Sequence, residues 1–169
     1  MIIGLSLGTF TLLHVIISLI AIASGLIVLF GMLASRRLPG WTALFLLTTI
    51  LTIATGFLFP IHGFTPALGL GTISLLVLAV ALVALYGKHL SGAWRWIYVV
   101  MAVAALWFNV FVLIVQAFEK VTLINPLAPQ VGPPFAEPQN LQFMVAQTTV
   151  LVVLGVLGFF AVAKFRPTP

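Results

Sequence analysis

Two amides sit inside one of the longest apolar runs of the chain, FNVFVLIVQAFEKV at 108–121: Asn109 and Gln116, seven residues apart. Seven residues is close to two turns of an α-helix, so both side chains lie on one stripe. An amide in hydrocarbon costs free energy unless it is paired. The stripe must therefore face other helices. Two chemistries are open to it. One is interhelical hydrogen bonding, worth about 1 kcal/mol or less per bond. The other is a polar handle for a molecule held in an apolar pocket, such as a quinone carbonyl or a lipid headgroup. Asn109 lies about 10 Å deeper than Gln116 at the helical rise per residue.

Partners for the amides are spread along the chain. Gln142, Gln147 and Thr148 lie in a later apolar run, and Thr48, Thr52 and Thr55 share one face of an earlier one. Gly69, Gly71, Thr72 and Ser74 open another, and Ser18, Ser24 and Gly25 lie in the first. Small and hydroxyl residues permit close helix approach in lipid, so each alone reads as packing. Together, Asn109, Gln116, Gln142, Gln147 and Thr148 describe a polar interior opening toward one side.

The ionisable residues offer less. His14 and His62 fall near the same boundary, and a pair of neutral imidazoles can ligate a haem iron. Without carboxylates they make a poor metal site. A buried haem also favours a second deep histidine, and His89 lies at the opposite side beside Lys88. Haem is therefore disfavoured. The only carboxylates are Glu119 and Glu137, and cysteine is absent. That leaves no thiolate metal site or cysteine nucleophile and little for a paired-carboxylate mechanism. No Asp, Glu, Lys or Arg lies deep in an apolar run, which argues against an ion-coupled pump. The sequence leans against an enzyme.

The elements that must position these residues follow from composition. The 169 residues are 63% hydrophobic and 5% charged, with a mean hydropathy of +1.31. A soluble domain carries about 25% charged residues, so the solvent here is lipid. Five runs reach the roughly 20 apolar residues that a membrane span needs: 12–34, 41–59, 67–87, 96–118 and 141–163. Backbone in lipid must satisfy its own hydrogen bonds, so each run is expected to be a helix. The fold class is an all-α bundle of five transmembrane helices forming one domain over 1–169. The first run has no basic leader and no small-residue cleavage site, and reads as a retained span. Residues 1–13 either continue it, tilted, or lie on the membrane surface.

Charge sets the orientation. Arg36, Arg37, Lys88, Arg95, Lys164 and Arg166 fall on one side of a five-span chain, and only Lys120 on the other. Basic residues stay cytoplasmic, which places the N-terminus outside and the C-terminus inside. Trp41, Trp94, Trp96, Tyr86 and Tyr98 lie at the same ends of the spans, where an aromatic belt forms. The net charge of +5 is thus a membrane signature, and nucleic acid is not an expected partner. The 119–140 connection carries five prolines and both acids. It cannot be helical throughout, and reads as a cap, a lid or a docking surface on the outer face.

The stretch FNVFVLIVQAFEKV, then LAP at 127–129, PPF at 133–135 and a last span with a short basic tail, resembles a group of small bacterial inner-membrane proteins of unknown function. The likeness rests on Asn109, Gln116, Phe118, Lys120, Ala128, Pro129, Pro133, Pro134 and Phe135, in about the last third of the chain. LHVIISLIAIASG, ending near RRLPG, is similar to the start of other small multi-span proteins. The resemblance implies a bacterial inner-membrane location, and that the amide stripe and the outer segment form one unit. It implies no activity.

The functional expectation is a non-catalytic membrane protein holding lipid or quinone in an outward-opening pocket lined by Asn109, Gln116, Gln142 and Gln147, covered by 119–140. Two other roles remain open. One is an accessory subunit of a larger respiratory or photosynthetic complex, and the other a haem-carrying electron-transfer protein using His14 and His62. Membrane lipid, a larger membrane complex or further copies of the chain are the expected partners.

Overall fold

The computed structural model describes residues 2, 4–59, 66–120 and 141–166. Five α-helices follow one another: α1 Leu7–Leu33, α2 Pro39–Phe57, α3 Pro66–Leu82, α4 Trp94–Lys120 and α5 Leu141–Lys164. A π-helical turn, Val83–Gly87, extends α3. All five helices are long and apolar enough to cross a membrane. Among the described residues there is no strand.

α1 begins five residues before the expected span and is 27 residues long. Its start is fixed locally. The Ser6 hydroxyl accepts from the Thr9 amide at 3.2 Å, satisfying one of the amide donors left unpaired at a helix N-terminus. Just before it, Gly4 at φ +78° closes a tight turn in which Ile2 and Leu5 exchange backbone bonds of 3.0 and 2.9 Å. Residues 7–13 therefore continue the helix. At about 40 Å it exceeds the roughly 30 Å hydrocarbon core. The expected cap or lid at 119–140 lies outside the described residues, apart from the end of α4, as does His62.

Lipid tails are as apolar as leucine, so helices in a bilayer associate through close packing and not through burial from water. The contacts reflect this. α1 packs along α2 and also touches α4 and α5, while α4 contacts α3 and α5. At Gly25, a Cβ would stand 2.8 Å from Leu106 Cδ1 and 2.8 Å from the Phe45 ring. The missing side chain is what allows α1 to meet α2 and α4 together. Gly158 does the same for α5, where a Cβ would come to 3.1 Å of Val103 on α4. Around these crossings lie buried Leu29, Phe45, Leu106 and Val99. Leu12, Leu76 and Phe159 point outward and are exposed.

Candidate functional site

Asn109 and Gln147 take separate partners. Asn109, half-buried on α4, donates to the Thr49 hydroxyl of α2 at 3.3 Å and to its own Ala105 carbonyl at 3.1 Å. Gln147, 8% exposed on α5, donates to the Phe111 carbonyl of α4 at 3.1 Å. These bonds tie α4 to α2 and α5 to α4, as interhelical amides do in lipid. Gln116, Gln142 and Thr148 are exposed. On the threonine face of α2, Thr48 and Thr55 are committed, donating to the Leu44 and Leu51 carbonyls, each at 2.7 Å. Thr49, and not its neighbour Thr48, meets Asn109. Among the described residues, three buried polar atoms have no partner: Thr52 Oγ1, Gln147 Oε1 and Trp107 Nε1.

His14 is half-buried, with Nδ1 2.7 Å from Thr55 Oγ1. The same Thr55 hydroxyl also reaches the Leu51 and Thr52 carbonyls, at 2.7 and 3.1 Å. The imidazole stands edge-on to Phe59 at 5.3 Å. Among the described residues no group of three or more His, Cys, Asp or Glu could hold a metal ion.

The opposite end of the bundle, where the cations gather, is built differently. Two turns and the end of α5 meet there. α1 ends in the reciprocal bonding pattern that usually places glycine in the left-handed conformation. Arg36 N donates to Gly31 O at 2.9 Å and Ser35 N to Met32 O at 3.0 Å. The left-handed residue is Ser35, at φ +54°. Its hydroxyl accepts from the Arg166 amide at 2.9 Å, which fastens the end of α5 to the α1–α2 turn. Gly31 leaves space for Leu38, whose Cδ1 would stand 2.6 Å from a Cβ placed there.

α3 closes in a wider loop. Lys88 N reaches back to Val83 O at 2.8 Å and Leu90 N to Ala84 O at 3.0 Å. His89 and Leu90 both sit at positive φ, +50° and +59°. A left-handed non-glycine residue costs about 1–2 kcal/mol. All three in the described chain lie at this end. Arg95, at the start of α4, donates its guanidinium to the Phe165 carbonyl. Phe165 is buried against Tyr98, with ring centroids 6.4 Å apart.

These segments surround a cavity of about 250 Å³ with walls from α1, α2, α4, the π-helical turn, the α1–α2 and α3–α4 connections and Phe165 just after α5. Its polar lining is Arg36, Arg37, Thr42, Tyr86, His89 and Tyr98. Tyr98 and Thr42 are buried at 2% and 8% exposure. Arg36, Arg37, Tyr86 and His89 are exposed. The lining thus grades from a buried apolar and phenolic floor to a cationic rim. Among the described residues no acidic side chain lines the cavity. Glu119 lies at the far end of α4, about 38 Å along the helix from Trp94, and Glu137 lies beyond it in sequence. A charge pair 4 Å apart is worth about 1 kcal/mol in water and about 4 kcal/mol near a partly shielded surface. The rim can therefore attract an anion, while the floor decides how it seats.

In the sequence, Arg36, Arg37, Tyr86 and Tyr98 mark only the orientation of the chain, His89 stands apart from the other two histidines, and Thr42 carries no signal. The two basic loops were visible as SRRLPG and GKHLSGAWR. That they frame one cavity depends on three left-handed residues other than glycine, spread over two turns, and on the fastening of Arg166 to Ser35. Neither leaves a local sequence mark.

No protein-family model matches the chain, and no curated protein or solved structure matches it. The likeness drawn from 108–135 thus rests on the sequence alone.

Proposed function

We propose that this chain is a small, non-catalytic integral membrane protein that holds an amphiphile of the bilayer, a lipid or a quinone, in its helical bundle. The observation that carries this reading is the 250 Å³ cavity with an apolar floor and a polar rim. Ligand sites are mostly apolar with a few placed polar groups, and run to about 300 Å³ and more. At 250 Å³ the cavity suits the head or ring of an amphiphile whose tail runs into lipid.

The site lies at the basic end, and not at the amide end that residue types first favoured. Asn109 and Gln147 are engaged between helices. By the preference of cations for the cytoplasmic side, the basic end faces the cytoplasm and the N-terminus faces outward. On this reading the protein resides in a bacterial inner membrane, and the ligand enters from the inner leaflet. The exposed apolar faces are those any lipid-solvated bundle presents, so they favour no accessory-subunit role.

Native mass spectrometry of the protein, extracted gently from its own membrane, tests the proposal. An adduct of a few hundred daltons that survives mild activation supports it and identifies the ligand class. A bare ion of 18.2 kDa, under conditions that keep lipid on other membrane proteins, removes the proposal's basis.

A further inference from the structure

Resting on that reading, we infer that the basic-end cavity recognises an anionic phosphate group, carried by a lipid headgroup or present as free phosphate. Three independent features converge there. The first is charge. Arg36, Arg37 and His89 line the same cavity, and the chain's two acidic side chains are Glu119, at the other end of α4, and Glu137, in the connection after it. An arginine fork donates two parallel bonds to phosphate oxygens, which a neutral quinone ring or a glyceride does not match.

The second feature is hydroxyl chemistry on the floor. Tyr98 and Thr42, both buried, and Tyr86 at the rim line the cavity below and beside the cations. Hydroxyls donate to phosphate oxygens without adding charge. An anion drawn in by the rim thus meets donors as it loses water.

The third is backbone conformation. His89 lies at φ +50° and follows the π-helical turn that carries Tyr86. A glycine would hold this conformation at no steric cost. Left-handed non-glycine residues and π-turns concentrate at functional sites. Here the strained conformation is occupied by a side chain that can donate to an anion and lines the cavity.

The test uses full-length protein in nanodiscs of phosphatidylcholine containing small equal fractions of a phosphatidic acid and a diacylglycerol. Lipid retention is read by native mass spectrometry with and without millimolar inorganic phosphate. Two variants carry the comparison. Arg36→Gln with Arg37→Gln removes two rim cations. Lys88→Gln with Lys164→Gln removes the same charge outside the cavity lining. The wild type is expected to retain phosphatidic acid over diacylglycerol by at least about tenfold, and the rim variant to lose that preference while the Lys88/Lys164 variant keeps it. Phosphate adducts that displace the lipid identify free phosphate as the ligand; retention unmoved by phosphate identifies the headgroup. Equal retention of both lipids by the wild type, or equal loss in both variants, overturns the inference. Retention of neutral lipid alone overturns it and leaves the amphiphile reading standing. Retention of no lipid, with no phosphate adduct, sinks both. His89→Gly gives an independent readout: it should gain thermal stability by releasing backbone strain, yet lose phosphatidic acid.

Discussion

The Ser35 hydroxyl and the Arg166 amide, 131 residues apart in sequence, meet at 2.9 Å and join the α1–α2 turn to the end of α5. Ser35 also occupies the left-handed position of the turn, at φ +54°. Two opposed terms follow. Ser35→Gly relieves about 1 kcal/mol of backbone strain and loses a hydrogen bond worth about 1 kcal/mol, so it is expected to be near neutral. Ser35→Ala keeps the strain and loses the bond, and is expected to be less stable than Ser35→Gly by about 1 kcal/mol. Reversible unfolding of both variants in mixed micelles decides this. An alanine variant at least as stable as the glycine variant would show that the left-handed turn is not strained.

Two glycines predict opposite responses to the same change. A Cβ at Gly25 would press on Leu106 and Phe45 at 2.8 Å, whereas at Gly155 nothing lies within 4 Å. Gly25→Ala should cost about 1–3 kcal/mol through overpacking. Gly155→Ala should stabilise α5 by about 0.5–1 kcal/mol by reducing the freedom of the unfolded chain. The same unfolding assay checks both. Equal effects of the two would mean that α1 does not lie this close to α2 and α4.

The amides are ranked by their partners. Asn109→Leu removes the link to Thr49 and should cost roughly 0.6–1 kcal/mol. Gln147→Leu loses one bond but also removes the buried, unpartnered Oε1, so it should be nearly neutral. Gln116→Leu, at an exposed position, should change stability by less than about 0.5 kcal/mol. A loss at Gln116 larger than at Asn109 would reverse the assignment of the stripe.

How much could be read beforehand depends on how local each cause is. The five helices were legible because each apolar run is a local property, and lipid admits little else than helix. Asn109 was legible as an interhelical donor, since a deep amide must find a partner. Its partner was not: Thr48, Thr52 and Thr55 share the evident face, yet Thr49 is the residue met. Ser6 as the cap of α1 was passed over because the apolar run hides the helix start. The cavity was illegible for a different reason. It is made by turns at Ser35, His89 and Leu90 whose conformation their residue types disfavour. Only the packed bundle selects them.

Orientation can be read chemically, because the sequence contains no cysteine to confound labelling. Ser91→Cys marks the basic end and Gln142→Cys the amide end, both at exposed positions. In intact cells a membrane-impermeant thiol reagent should label Cys at 142 and spare Cys at 91 until the membrane is opened. Labelling of position 91 alone would invert the orientation and move the cavity to the outer leaflet.

The central claim, that the ligand sits at the basic end, is tested most directly by cross-linking. A phosphatidic acid bearing a photoactivatable group near its head would be incorporated with the full-length protein and activated, and the labelled peptides mapped. Label is expected on the α1–α2 turn around Arg36 to Thr42 and on the stretch from Tyr86 to Tyr98. Label concentrated instead around Asn109, Gln116 and Gln142 would contradict it, and would return the binding site to the amide end of the bundle.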